Sequence, residues 1–132
     1  MNKFLNIFKI IFHFYNILVI FFYLFPGSLL GWFFYGNIKK QKSFTGDFKS
    51  DLVNISSNHF YAFFFLSFLG ILSYSKNKKL NLVIIYLFFI ALVLELLQIF
   101  IPYRAFQFED LLGNIVGTLC VVLIYKILKI KN

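Results

Sequence analysis

From Leu80 to Ile101 the chain reads LNLVIIYLFFIALVLELLQIFI, and Glu95 is its only charged residue. A run of ~20 apolar residues is long enough to cross a bilayer as a helix. Three more runs resemble it: Phe4 to Phe25, Asn58 to Tyr74, and about Glu109 to Tyr125. The whole chain is 61% hydrophobic and 14% charged, whereas soluble domains are about 25% charged. Too little polar surface exists to cover a water-soluble globule. The expectation is one all-α domain over 1–132, an integral membrane bundle of four transmembrane helices. Their approximate bounds are 4–25, 58–74, 80–101 and 109–125.

The first run has a basic start and an apolar middle, as a signal peptide does. It is long, however, and the following FPGSLLGW has no small-x-small cleavage site. It reads as a retained helix, ended by Pro26-Gly27. Ser28 to Tyr35 is too short to span, and Trp32 and Tyr35 suit the membrane interface. Residues 36–57 form a polar loop. Ser56, Ser57 and Asn58 offer capping oxygens to the next helix.

The net charge is +8, yet the lysines sit at the ends of apolar runs. There they set topology and do not form a basic face for nucleic acid. No nucleic-acid partner is expected. Lys3, Lys9, Lys76, Lys78, Lys79, Lys126, Lys129 and Lys131 put eight basic residues on the side of the termini; Lys39, Lys40, Lys42, Lys49 and Arg104 put five on the other. By the positive-inside rule both termini are cytoplasmic. Cys120 lies in an apolar run and reads as a packing residue.

Polar side chains inside apolar runs are costly unless paired, and are functional candidates for that reason. His13 and Asn16 lie three apart on one face of the first helix and read as interhelical hydrogen-bonding groups. The main concentration is Glu95 to Gly117, ELLQIFIPYRAFQFEDLLGNIVG. Glu95 lies ~9 Å inside the outer end of its run, at 1.5 Å per residue. Gln98 is one turn nearer the surface. Arg104 lies in the connector, in reach of Glu95 or Asp110. Asp110 opens the last helix, where a carboxylate suits the helix dipole, and Asn114 is one turn deeper. His59 begins the second long run at the same outer end. Gly113 and Gly117 form a GxxxG pair that permits close helix approach. These residues read equally as a functional site or as mutual structural satisfaction.

The series Glu95-x-x-Gln98, Pro102, Arg104, Asp110, Asn114 and Gly117, with His59-Phe60 and Pro26-Gly27-Ser28, resembles the VanZ-like membrane proteins. The resemblance covers most of the chain. Two departures are visible. Ser56, Ser57 and Asn58 stand where relatives often carry Asp-Lys, and Leu94 stands where an acidic residue often precedes the glutamate. The family is named for a protein linked to teicoplanin resistance, so the resemblance implies a bacterial plasma-membrane protein of the cell envelope. It defines no molecular activity.

Three functions compete. The favoured one is non-enzymatic binding of a membrane lipid, a lipid-linked cell-wall or polysaccharide precursor, or a membrane partner. Glu95, Gln98, Arg104, Asp110 and Asn114 would hold the ligand. Arg104 would meet a phosphate or carboxylate, for which its planar fork is suited. The second is a membrane enzyme with His59 and Glu95 or Asp110 as acid and base. The third is a proton- or ion-coupled transporter using Glu95 and His13. A His/Glu/Asp metal site is chemically possible, but no diagnostic spacing such as HExxH occurs. No metal and no cofactor are therefore expected. A homo-oligomer through the glycine pair is compatible with the sequence.

Overall fold

The structure is a computed structural model describing residues 3–39, 48–49 and 54–130. Much of the expected polar loop, and Lys40, Lys42 and Lys131 of the charge count, lie outside the described residues. Among the described residues five helices follow in order: α1 (Lys3–Leu24), α2 (Leu29–Tyr35), α3 (Ser57–Tyr74), α4 (Leu80–Leu97) and α5 (Phe108–Ile130). A 3-10 turn over Gln98–Phe100 extends α4. Two two-residue strands, β1 (Phe48–Lys49) and β2 (Asn54–Ile55), pair antiparallel with Phe48 opposite Ile55.

The long helices alternate in direction. Tyr23, near the end of α1, meets His59 at the start of α3, while Phe12 meets Tyr74 at the end of α3. Glu95 near the end of α4 and Asp110 at the start of α5 both reach His59. Four chain ends thus deliver polar groups to one end of the bundle. Below them, Phe12, Val19, Phe63, Leu66, Leu87, Ile90, Ala91 and Leu94 form the apolar core. Large apolar side chains such as Ile10, Phe33, Phe89 and Ile130 face outward, as a lipid-facing surface requires.

Among the described residues, three helices are long and apolar enough to cross a membrane, over Leu5–Leu24, Leu80–Phe100 and Phe108–Ile130. The fourth expected crossing, α3, does not reach that standard. The reason is its position. It is the central helix, packed most extensively on α5 and also on α1 and α4. Ser57, His59, Ser67 and Ser73 are buried along it. His59 and Ser67 bond to neighbouring helices, Ser73 bonds the Leu69 carbonyl of its own helix, and all of these polar side chains lower its hydropathy.

Two helix junctions follow from local chemistry. Gly27 adopts φ +79°, and a Cβ there would lie 2.7 Å from the Ile38 carbonyl oxygen. Only glycine fits that turn. Ser28 then caps α2: its side chain accepts from the Gly31 N–H at 3.0 Å. At the start of α3 the cap residue is Ser56, and its side chain makes no cap bond. Its backbone N–H instead donates to the Glu109 carbonyl at 3.2 Å, tying the entry of α3 to α5.

The glycine pair is used within the chain. A Cβ on Gly113 would lie 2.7 Å from the Ser56 carbonyl oxygen, and one on Gly117 would lie 2.5 Å from that of Phe60. Both glycines are covered by α3, so their close-approach surface is not available to a second copy. This intimate α3–α5 contact positions His59 beside Asp110.

Candidate functional site

His59, Glu95, Gln98, Asp110 and Asn114 converge at the polar end of the bundle. Glu95 and Asn114 are 0% exposed, Asp110 5% and His59 9%. His59, at the start of α3, is buried between two carboxylates. Its Nε2 lies 3.4 Å from Asp110 Oδ2, and its Nδ1 lies 3.8 Å from Glu95 Oε2.

The hydrogen bonds fix the imidazole's orientation and tautomer. Asn114 Nδ2 donates to the Ala91 carbonyl at 3.3 Å, which leaves Oδ1 facing Tyr23. The Tyr23 hydroxyl donates to that oxygen at 2.6 Å. A phenol has one proton, so the 3.0 Å contact between Tyr23 Oη and His59 Nδ1 has the imidazole as donor. Nδ1 carries a proton, and Nε2 is the nitrogen directed at Asp110. The network continues down α5: Thr118 Oγ1 donates to the Asn114 carbonyl at 3.0 Å, and Ser67 Oγ donates to Thr118 Oγ1 at 3.1 Å. Such coupling rigidifies a site when every member is satisfied.

Glu95 is held on both oxygens. The Gln107 backbone N–H donates to Oε1 at 3.1 Å, and Gln98 Nε2 donates to Oε2 at 3.5 Å. Gln98 therefore acts as an orienting group for Glu95, one turn along the same helix end.

Arg104 turns its donors toward the end of α1. Among the described residues it makes no ion pair with Glu95 or Asp110. Its Nε donates to the Phe25 carbonyl at 3.3 Å and its Nη2 to that of Phe22 at 3.1 Å. Carbonyls in the last turn of a helix have no intrahelical partner, and a cation there meets the negative end of the dipole. Arg104 thus caps α1 from the α4–α5 connector. Burial lowers its pKa, against the opposing influence of Asp110, Tyr23 and Glu95; a guanidinium nonetheless keeps its charge. The turn that presents it is a tight one. The Arg104 N–H donates to the Ile101 carbonyl at 3.1 Å. Pro102 occupies the position such a turn favours for proline, and Tyr103 takes φ +62° where glycine is usual. Lys39 lies over the Tyr103 ring, 5.0 Å from its centroid.

Beside these groups is a cleft of about 240 Å³, bordered by Ser28, Lys39, Gln98, Arg104 and Gln107 among others. It shares Gln98 and Gln107 with the hydrogen bonds to Glu95, so it borders the buried constellation. His13 and Asn16 are elsewhere. His13 Nε2 contacts Tyr74 Oη at 3.1 Å, and Asn16 Nδ2 donates to Tyr86 Oη at 2.6 Å. These are interhelical bonds, as expected. Tyr74 is fifteen residues along α3 from His59, or ~22 Å, so His13 and Glu95 share no site.

Sequence reasoning missed Tyr23 and Gln107. Tyr23 sits in an apolar run with no local signal beyond its hydroxyl. Gln107 acts through its backbone, which no side-chain pattern announces. No curated protein and no solved structure matches the chain. The family model described as VanZ/LLP1 matches residues 3–129, and the chain belongs to that family.

Proposed function

We propose that this protein binds the anionic head of a lipid-linked cell-envelope precursor at the outer leaflet of the bacterial plasma membrane. In this reading α3 is a fourth crossing and both termini are cytoplasmic. At 18 residues α3 is ~27 Å long, close to the ~30 Å hydrocarbon thickness, and it runs beside three apolar helices.

The observation that carries the reading is the cleft. Arg104 and Lys39 border it with the amides of Gln98 and Gln107 and with Ser28. Cations and neutral donors together suit a phosphate and its attached polar group. Its wall is anchored to a buried network that restricts movement. Trp32 and Tyr35 on the exposed face of α2 suit the headgroup level beside it. Native mass spectrometry on protein in mixed-lipid nanodiscs tests this. A polyprenyl phosphate should be retained in preference to phosphatidylglycerol, and Lys39→Gln and Arg104→Gln should each weaken retention. No preference in the folded wild type would refute the proposal.

Acid–base catalysis on such a lipid is the second reading, favoured by one observation: His59, Glu95 and Asp110 each bring one polar atom within 4.8 Å of the others. Turnover unaffected by both His59→Ala and Glu95→Gln would remove it. A link to glycopeptide resistance rests on the family name alone. Unchanged teicoplanin susceptibility on expression would dismiss it.

A further inference from the structure

We infer that His59, Glu95 and Asp110 form a binding site for one divalent transition-metal ion, with Zn²⁺ the ion best matched to the donors. The inference does not rest on the lipid reading.

One ligand atom from each residue lies within 4.8 Å of the others. Around a tetrahedral Zn²⁺ with bonds of 2.0–2.2 Å, donors lie about 3.3 Å apart. The 3.4 Å from His59 Nε2 to Asp110 Oδ2 already has that value. Glu95 Oε2 lies 3.8 Å from Nδ1 of the same ring, so the Glu95 carboxylate must swing toward the Nε2 edge to complete the set.

Donor accounting points the same way. The chain from Ala91 through Asn114 and Tyr23 places the proton of the neutral imidazole on Nδ1. The lone pair of Nε2 then faces the Asp110 oxygen at 3.4 Å. Two acceptors in that arrangement repel unless a proton or a cation lies between them. A proton there would give an imidazolium between two carboxylates, leaving one negative charge over while Glu95 is ionised. A divalent cation with a neutral histidine and two carboxylates closes to zero. That balance matters in a buried site, where no lysine or arginine reaches ion-pair distance of either carboxylate among the described residues.

The surroundings are those of a metal centre. A ligating histidine typically donates its other N–H to an acceptor that fixes its plane; here Nδ1–H donates to Tyr23 Oη, which Asn114 holds in turn. Ligating carboxylates are themselves hydrogen-bonded, as Glu95 is by Gln107 and Gln98. A nitrogen donor disfavours Mg²⁺ and Ca²⁺, which prefer oxygen. Three protein ligands leave a position open, as in catalytic rather than structural zinc sites.

The test uses the full chain, purified without a histidine tag, stripped with chelator and reconstituted in nanodiscs. Zn²⁺ is titrated by calorimetry, and bound metal is counted after desalting. The expected result is about one Zn²⁺ per chain, with loss of stoichiometric binding in Glu95→Gln and Asp110→Asn. Tyr23→Phe keeps all three ligands and should weaken binding about 10–100-fold. His13→Ala should bind as the wild type does. X-ray absorption of the Zn²⁺-loaded wild type should show one imidazole with oxygen donors and no sulfur. This measurement decides the matter even where a variant fails to fold. The inference is overturned by a helical wild type without stoichiometric Zn²⁺, by undiminished binding in folded Asp110→Asn, or by sulfur or several imidazoles at the metal.

Discussion

Replacing Gly117 by alanine probes the α3–α5 contact on which the polar site depends. The added methyl would lie 2.5 Å from the Phe60 carbonyl oxygen and 3.0 Å from the Phe64 backbone nitrogen. Ordinary contact begins at 3.4 Å, so the closer approach is 0.9 Å too short. Both obstacles are backbone, and α5 must lift away from α3. Overpacking of this kind costs about 1–3 kcal/mol, and a backbone obstacle belongs at the upper end. Alanine recovers about 1 kcal/mol of helix propensity over glycine. The net loss is about 2 kcal/mol, roughly a 30-fold change in the folded-to-unfolded ratio. Gly70→Ala is the matched comparison. Its methyl would meet the Phe12 ring at 2.9 Å and the Val83 side chain at 3.3 Å. Those side chains can turn aside, so the cost and the propensity gain nearly cancel. Unfolding titrations of both variants in SDS-containing mixed micelles measure the difference. Gly117→Ala should unfold at distinctly lower SDS than the wild type, and Gly70→Ala should stay near it. Equal stability of the two would refute the backbone-contact argument.

Three further outcomes are expected. Asn114→Leu leaves the Tyr23 hydroxyl and the Ala91 carbonyl without their partner, costing about 1–3 kcal/mol; a double-mutant cycle with Tyr23→Phe should be non-additive by about 1 kcal/mol, and strict additivity would break the proposed network. Arg104→Lys places one nitrogen where two carbonyl bonds were made, so it should cost about 1 kcal/mol, read as earlier proteolysis near the end of α1; wild-type resistance would contradict the capping role. With Cys120 replaced by serine, Asn77→Cys should react with an impermeant maleimide only from the cytoplasmic side, and labelling from outside would reverse the assigned orientation.

Much of the fold is written in apolar run length and punctuation. Pro26-Gly27 marks the end of α1 within a residue or two, and the GxxxG pair marks the face of α5 that α3 covers. The last helix continues to Ile130 rather than stopping at Tyr125. Lys126 and Lys129 read as an end signal, yet a long lysine stem can lie along a helix and bring its charge to water. The status of α3 was the harder matter. Its buried serines and histidine lower its hydropathy, although Phe65 and Phe68 face outward as on the other long helices.

The site was legible as a depth but not as a set of contacts. Counting residues from the helix ends brings Glu95, Asp110, Asn114 and His59 to one level. Which of them touch depends on helix rotation, and topology leaves that open. Arg104 shows the difference most clearly. Charge complementarity points it at Glu95 or Asp110, whereas the free carbonyls at the end of α1 take its donors. Tyr23 could not be chosen among neighbouring aromatic residues until His59 and Asn114 were seen on either side of its hydroxyl.

The most direct test of the lipid-binding account is an experimental structure in a lipid nanodisc containing a polyprenyl phosphate. The account predicts phosphate density in the cleft, within hydrogen-bonding distance of Arg104 or Lys39 and beside Gln98. A cleft filled by an acyl chain, with phosphate bound elsewhere or absent, would contradict it.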